Sequence, residues 1–166
     1  MGIFHYSHDA RPCGFKGHQF CFDQTDRKRK STALDIQLKK EQTERALASL
    51  QELVPQYLEN KQNIILRDAM IQRFEYSTEA FWKYLKAYLS MEHNLSANSP
   101  REVIRTGLKA KLYSEEISEE LLQMLDDRNL TSHTYVEELA ESIASRIPAY
   151  SKNIEKVMQQ LSNPLF

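Results

Sequence analysis

Residues 61–93, KQNIILRDAMIQRFEYSTEAFWKYLKAYLSMEH, form the stretch that decides the fold. Apolar side chains recur here at helical spacing, namely Leu66, Met70, Phe74, Phe81, Leu85 and Tyr88. This spacing keeps one face of an α-helix apolar, and Ile71, Trp82 and Leu89 widen that face. The pattern predicts a long helix at the centre of the molecule, with its aromatic side chains mainly in the core.

Four further helices are predicted around this central one, at about residues 34–53, 100–112, 114–129 and 134–161. The clearest start is the run Ser99-Pro100-Arg101-Glu102, because Ser99 can cap the free N–H groups and Glu102 can serve as its capping-box partner. Pro55 is expected to interrupt or bend the first helix, and Pro148 to kink the last one.

The scarcity of glycine in the body of the chain supports a helical class. Gly107 is the only glycine between Leu34 and Leu161, which leaves little material for the tight turns of a β-sandwich or barrel. The 166 residues contain no internal repeat that we detect. We therefore predict an all-α fold, an up-and-down bundle of about five helices.

Residues 1–32 differ in composition from the rest of the chain. They hold both cysteines and three of the four glycines, with six basic side chains against three acidic ones. We expect a flexible N-terminal extension over 1–32 and a helical bundle domain over 33–166. His5, His8, Cys13, His18 and Cys21 are ligand types that zinc accepts, but their spacing matches no common zinc pattern. No metal site and no cofactor are predicted.

Charge and hydropathy exclude several classes of protein. The chain has 22 Lys and Arg against 23 Asp and Glu, so it has no general electrostatic reason to coat nucleic acid or anionic lipid. It also has no apolar run of the length that spans a bilayer. The basic run 27–30 can touch RNA, although such a run is usually a solvated linker. The cytoplasm is the expected compartment.

The stretch with the most chemistry is DDRNLTSHTY, residues 126–135, at the junction of the last two predicted helices. Five of its side chains can donate hydrogen bonds to an anion: Arg128, Asn129, Thr131, Ser132 and His133. The N-terminus of the following helix would add backbone N–H groups and the positive end of a dipole. These features predict a site of the size of a phosphate group.

Arg128 and His133 have complementary chemistry for RNA cleavage. Arginine can neutralise a phosphate or a developing phosphorane, and histidine can move the proton of a ribose 2′-hydroxyl. On one continuous helix they would point about 140° apart, so a break between them is required. The alternative is structural: Thr131, Ser132 and Thr134 cap helices, Arg128 pairs with Asp126 or Asp127, and His133 bonds a carbonyl.

An ordered set of motifs resembles the nucleotidyltransferase substrate-binding protein family, a branch of the HEPN superfamily. The set comprises RDAMIQRFEY at 67–76 with Trp82-Lys83, SPREVIR at 99–105, and DRNLTSHTY at 127–135, which contains the R-x4-H-x-Y signature. The resemblance covers about residues 34–163. Val136 departs from the family pattern, which often has an acidic residue there; Thr134 is then expected to cap the last helix with Glu137 as its partner.

The resemblance implies a five-helix bundle that forms homodimers and associates with a separately encoded minimal nucleotidyltransferase. In HEPN toxins the motif arginine and histidine form a metal-independent ribonuclease site at the dimer interface, and the motif tyrosine accepts AMP from the partner. These roles fall on Arg128, His133 and Tyr135, with Asn129, Thr131 and Ser132 as substrate contacts. Arg73, Glu75 and Trp82 also match the pattern and can line a groove.

Two functions follow from this resemblance. The first is a HEPN-type ribonuclease that forms a toxin–antitoxin couple with its nucleotidyltransferase. The second is a non-catalytic subunit whose pocket holds a nucleotide or an acceptor substrate for the partner's transfer reaction. Loss of RNA cleavage in a His133→Ala variant would distinguish the first from the second.

Overall fold

The computed structural model describes the backbone of residues 17–162 and the side chains of residues 33–162. Its elements are α1 Gly17–Glu59, α2 Ile64–Glu92, α3 Pro100–Lys109, α4 Glu115–Leu130, a short 3-10 helix Thr131–His133 and α5 Glu137–Ser162. The described residues contain no β-strand. The prediction of an all-α fold with about five helices is confirmed.

The chain divides into two compact units, Met1–Leu34 and Asp35–Phe166. In the first unit the described residues, 17–34, are helical. α1 thus begins at Gly17, well before the predicted start, because no proline or glycine follows Gly17 until Pro55. His5, His8 and Cys13 lie outside the described residues, as do the side chains of His18, Cys21 and the basic run 27–30.

Local capping signals set the starts of α3 and α4. Ser99 Oγ accepts a hydrogen bond from Glu102 N at 3.3 Å, and Glu102 Oε2 accepts one from Asn98 N at 2.7 Å. Ser114 Oγ caps α4 by accepting from Ile117 N at 3.3 Å. The predicted Ser99 cap is therefore confirmed. The Glu102 carboxylate accepts from the N–H of Asn98, whereas in a capping box it would accept from the N–H of the cap residue, Ser99.

Pro55 and Pro148 lie inside helices that continue past them. α1 runs through Pro55 to Glu59, so the predicted end near residue 53 is wrong. Leu53 and Tyr57 are buried on either side of Pro55, and their burial offsets the single backbone hydrogen bond that the ring removes. α5 likewise runs through Pro148 to Ser162.

The core is built around α2, as predicted. Met70, Phe74, Phe81, Leu85 and Leu89 are fully buried. α2 packs against α3, α4 and α5, and the rings of Phe74 and Tyr150 stack with their centroids 5.7 Å apart. Trp82 is only half-buried, so it lies at the edge of the core. No helix in the described part of the chain is both long and apolar enough to cross a membrane.

Candidate functional site

The segment between α4 and α5 does not continue as an α-helix. α4 ends at Leu130, Thr131–His133 form a turn of tighter 3-10 helix, and α5 begins at Glu137. Arg128 therefore lies in the last turn of α4, and His133 lies at the end of the 3-10 turn. The α-helix therefore ends between these two residues.

The hydroxyl groups of this segment donate to nearby backbone carbonyls. Thr131 Oγ1 donates to Arg128 O at 2.6 Å, Ser132 Oγ to Asn129 O at 3.2 Å, and Thr134 Oγ1 to Thr131 O at 2.9 Å. These bonds satisfy carbonyls at the end of α4. The hydroxyl protons of Thr131 and Ser132 are thus engaged, which favours the capping interpretation for them.

The start of α5 differs from the expected arrangement. Glu137 and Glu138 occupy its first turn, so carboxylates already lie at the positive end of the helix dipole. Glu137 also pairs with Arg67 of α2, and Thr134 bonds back to Thr131. The predicted cap of Thr134 with Glu137 is wrong, because α5 begins at Glu137 and the residue before its first turn is Val136.

Arg128 reaches across to α2. Its Nη2 lies 2.9 Å from Glu79 Oε1, and its side chain is 37% exposed. Glu79 is also paired with Lys83, 3.2 Å away. The expected pairing of Arg128 with Asp126 or Asp127 is therefore wrong; those carboxylates pair with Arg101 and Arg146. Arg128 Nε is buried and has no hydrogen-bond partner among the described residues.

His133 and Tyr135 are both open to solvent. Their rings meet edge to face with centroids 6.1 Å apart, and Tyr135 is 84% exposed. The phenol is consequently accessible to another macromolecule. The short 3-10 turn displays the imidazole beside it, on a segment whose two ends are anchored by the contacts described next.

The first anchor is the buried carboxylate of Asp127, which sequence reasoning missed. It accepts hydrogen bonds from Arg146 Nε at 2.6 Å, Arg146 Nη2 at 2.9 Å and the Tyr150 hydroxyl at 2.6 Å. Burial alone would raise the pKa of Asp127, but the bonds from Arg146 and Tyr150 outweigh it and lower that pKa. The one sequence signal was the four-residue spacing of Arg146 and Tyr150, which places both on one helix face.

The second anchor is the buried side chain of Arg67 on α2. It is 4% exposed and its guanidinium pairs with Asp68 and Glu137. This contact fixes the start of α5 beside the start of α2. The segment 128–136 is therefore held at one end by Asp127 and at the other by Glu137.

A pocket of about 250 Å³ lies between α2, α3 and α4. Its lining includes Glu79, Trp82, Arg101, Leu125, Arg128 and Asn129. It brings together two of the predicted site residues, Arg128 and Asn129, while His133 is not part of its lining. Of the other groove candidates, Arg73 donates to Ser49 O at 2.6 Å, and Glu75 borders a smaller pocket of about 130 Å³ beside Thr134.

Within the residues whose side chains are described, no group of three or more His, Cys, Asp or Glu side chains is arranged to hold a metal ion. The charged groups around Arg128 instead form ion pairs with one another.

Comparison with solved structures gives several matches in fold. A protein from Thermus thermophilus is 46% identical, with a TM-score of 0.68 over 72% of this chain and 98% of the other. A tri-AMPylated HEPN toxin from Shewanella oneidensis, in complex with MNT antitoxin, is 18% identical, with a TM-score of 0.63 over 76% of this chain and 96% of the other. A toxin–antitoxin complex with AMP-PNP is 17% identical, with a TM-score of 0.62 and the same coverage.

No curated protein matches this sequence significantly. The family model described as nucleotidyltransferase substrate binding protein like matches residues 38–163, which is most of the chain and includes all of the segment 126–136. The chain belongs to the nucleotidyltransferase substrate-binding protein-like family.

Proposed function

We propose that this chain is the HEPN-type member of a toxin–antitoxin couple, that it pairs with a separately encoded minimal nucleotidyltransferase, and that it cleaves RNA without a metal ion. The family membership and the fold shared with a HEPN toxin bound to MNT antitoxin support this proposal. The observation that carries it is the change from α-helix to 3-10 turn between Arg128 and an exposed His133.

The proposed reaction is transfer of a phosphodiester to the neighbouring 2′-hydroxyl. Neutral His133 takes the 2′-hydroxyl proton, the 2′-oxygen bonds to phosphorus, and the bond to the 5′-oxygen breaks as that oxygen takes a proton from water. Arg128 stabilises the charge that builds on the phosphorane. The products are a 2′,3′-cyclic phosphate and a free 5′-hydroxyl.

Arg128 must exchange its carboxylate partner for the phosphate in this scheme. Glu79 holds the guanidinium at 2.9 Å, in the geometry that arginine also uses with phosphate oxygens. Both side chains are about one-third exposed, so solvent weakens their pairing. We propose that the site is completed in a homodimer in the cytoplasm, where a second chain lies beside His133 and leaves Tyr135 accessible.

Tyr135 is proposed to accept AMP from the partner enzyme. Its 84% exposure leaves the hydroxyl free to enter the active site of a nucleotidyltransferase. Its ring also lies edge-on to that of His133, so an added adenylate would crowd the imidazole. AMP on Tyr135 would thereby switch the ribonuclease off.

A second candidate function is supported by the pocket at Arg128 and Asn129. His133 is outside its lining, so the pocket can hold a nucleotide or an acceptor substrate without any cleavage. In this alternative the chain is the substrate-holding subunit of the nucleotidyltransferase.

The deciding experiment is cleavage of total tRNA by the purified chain in EDTA. His133→Ala should abolish cleavage while the circular dichroism spectrum stays unchanged, because the imidazole is exposed. His93→Ala is the matched control, because His93 lies at the end of α2 and outside the segment 128–136. Cleavage that survives His133→Ala would refute the catalytic assignment, and no cleavage by a folded wild-type dimer would favour the substrate-holding subunit.

For Tyr135 the measurement is intact mass after incubation with the partner enzyme and ATP. The wild type should gain the mass of adenylate, and Tyr135→Phe should not. Equal gain by Tyr135→Phe would place the modification on another residue.

A further inference from the structure

The pocket between α2, α3 and α4 combines an aromatic side chain with charged groups. Trp82, Pro100 and Leu125 are its apolar lining residues, Arg101 and Arg128 contribute guanidinium groups, and Glu79 contributes a carboxylate. Its volume of about 250 Å³ is just below the range of roughly 300–1,000 Å³ that is typical of sites for drug-sized molecules. A space of this size suits one planar base, with its sugar and phosphate at the mouth.

Of the described residues that line this pocket, Trp82 is the one with an aromatic side chain. The indole is half-buried although its neighbour on the helix, Phe81, is fully buried. Its Nε1 is buried and lacks a hydrogen-bond partner among the described residues, and Lys83 Nζ lies 5.7 Å from its ring centroid. An indole placed at a pocket wall is a platform on which a nucleobase stacks, whatever the identity of the base.

The two arginines approach the pocket from different helices. Arg101 of α3 pairs with Asp126, and both side chains are 44% exposed. Arg128 of α4 pairs with Glu79 and leaves its buried Nε unpaired among the described residues. Each guanidinium group is thus held at the pocket by a carboxylate, and a phosphate can take the place of that carboxylate because arginine binds both groups through the same N–H donors.

Asn129 adds a group that can both donate and accept. Its carboxamide is exposed at the pocket lining, next to Arg128 in sequence. Such an amide can read the polar edge of a base, which an arginine alone cannot do because it only donates. Stacking surface, phosphate-binding cations and an amide together are the chemistry of nucleotide recognition.

We propose that this pocket binds a single nucleotide, with the base stacked on Trp82 and the phosphate held by Arg101 and Arg128. The inference rests on the proposed function in one respect: the nucleotide would then be a unit of the RNA cleaved at Arg128 and His133. The same chemistry also accepts a free nucleoside monophosphate.

Trp82 is the only tryptophan in the chain, so its fluorescence reports on this pocket directly. The experiment titrates the full chain with AMP, with ribose 5-phosphate and with a short single-stranded RNA that lacks a cleavable 2′-hydroxyl. Stacking should quench the emission in a saturable way with AMP or with the RNA, and ribose 5-phosphate should have little effect. Quenching by the RNA alone identifies RNA as the source of the nucleotide.

The matched variants are Arg101→Gln and Arg105→Gln, one turn apart on α3. Arg101 lines the pocket, and Arg105 is exposed and is not part of the lining. Loss of a charged hydrogen bond predicts that Arg101→Gln weakens binding about tenfold, while Arg105→Gln stays within about twofold. Arg105 has no role in the pocket or in the cleavage reaction proposed above.

Three results would overturn the inference: no saturable quenching in a chain that circular dichroism shows to be folded, an equal response to ribose 5-phosphate, or equal effects of the two arginine variants. Failure of the proposed function looks different. Saturable quenching without any tRNA cleavage would leave the nucleotide pocket in place and remove only the ribonuclease.

Discussion

Asp127→Asn should destabilise the helical bundle strongly, although it changes only one charge. Asp127 is 1% exposed, and it joins the last turn of α4 to α5 through two bonds from Arg146 and one from Tyr150. The asparagine that replaces it keeps the shape of the side chain but removes the negative charge. It also turns one acceptor into a donor that faces the guanidinium.

The size of this destabilisation depends on how far Arg146, the partner of Asp127, is exposed to solvent. Removing one member of a buried ion pair costs about 3–5 kcal/mol when the remaining charge stays buried. Arg146 is 39% exposed, so water can solvate its guanidinium in the variant, and the new amide oxygen can still accept from Tyr150. We therefore expect a loss of about 2–3 kcal/mol in the free energy of unfolding. In a domain of this size the midpoint of thermal unfolding falls by roughly 10 °C.

The pH dependence gives a second test of the same contact. The pKa of Asp127 lies below its ordinary value of 3.8 in the folded chain, because the bonds from Arg146 and Tyr150 outweigh the effect of burial. The unfolded chain therefore binds this proton first as the pH falls. The stabilisation by Asp127 is complete above about pH 4, its unfolded pKa, and is lost as the pH falls through the folded pKa.

Urea unfolding followed by circular dichroism measures both effects. The difference between wild type and Asp127→Asn should be constant from about pH 8 to pH 5 and should narrow below about pH 4. Asp126→Asn is the matched control, because its pair with Arg101 is exposed and should contribute less than about 1 kcal/mol. Equal losses in the two variants, or a difference that grows in acid, would refute the reasoning.

Two further substitutions test contacts elsewhere in the bundle. Gly107→Ala should lower the free energy of unfolding by about 1–3 kcal/mol despite the better helix propensity of alanine, because a Cβ there lies 2.8 Å from Cζ of the buried Tyr113. In thermal melts, adding Tyr113→Phe to this variant should recover part of the loss. Purely additive losses of the two substitutions would contradict the clash. In urea unfolding, Arg67→Ala should lower the free energy of unfolding by about 1–2 kcal/mol and Glu137→Gln by less than about 1 kcal/mol. The reason is that Arg67 is buried while Glu137 is 58% exposed. A larger loss in Glu137→Gln than in Arg67→Ala would contradict the role of burial.

The parts of the fold that sequence predicts are those set by nearby residues. The apolar stripe of α2 lies within one segment, and the caps Ser99 and Ser114 act on residues three positions later. Local signals of this kind need no knowledge of the rest of the chain. Thus α2 and α3 begin within three residues of the predicted positions, and Phe74 and Phe81 are in the core as predicted.

The parts that sequence missed depend on distant partners. Arg67 is buried and pairs with Glu137, 70 residues later, and no pattern around Arg67 indicates that contact. Arg128 had two carboxylates beside it in sequence but pairs with Glu79 on another helix. Its neighbours Asp126 and Asp127 point to other arginines. Charge pairing at a helix junction is decided by packing, so sequence predicts the residue types of the site better than their partners.

The anchors on either side of the segment 128–136 explain how a site can be fixed and open at once. Asp127 ties its start to α5, and the Arg67–Glu137 pair ties its end to α2. Between these contacts His133 and Tyr135 remain in solvent. A general base that works in a single enclosed chain is shielded from water by that chain. This chain provides no such cover for His133 among its described residues. In the proposed ribonuclease the shielding would therefore come from another macromolecule. In that proposal a second copy, the RNA or the nucleotidyltransferase would supply it, and the AMP proposed for Tyr135 would compete for the same space.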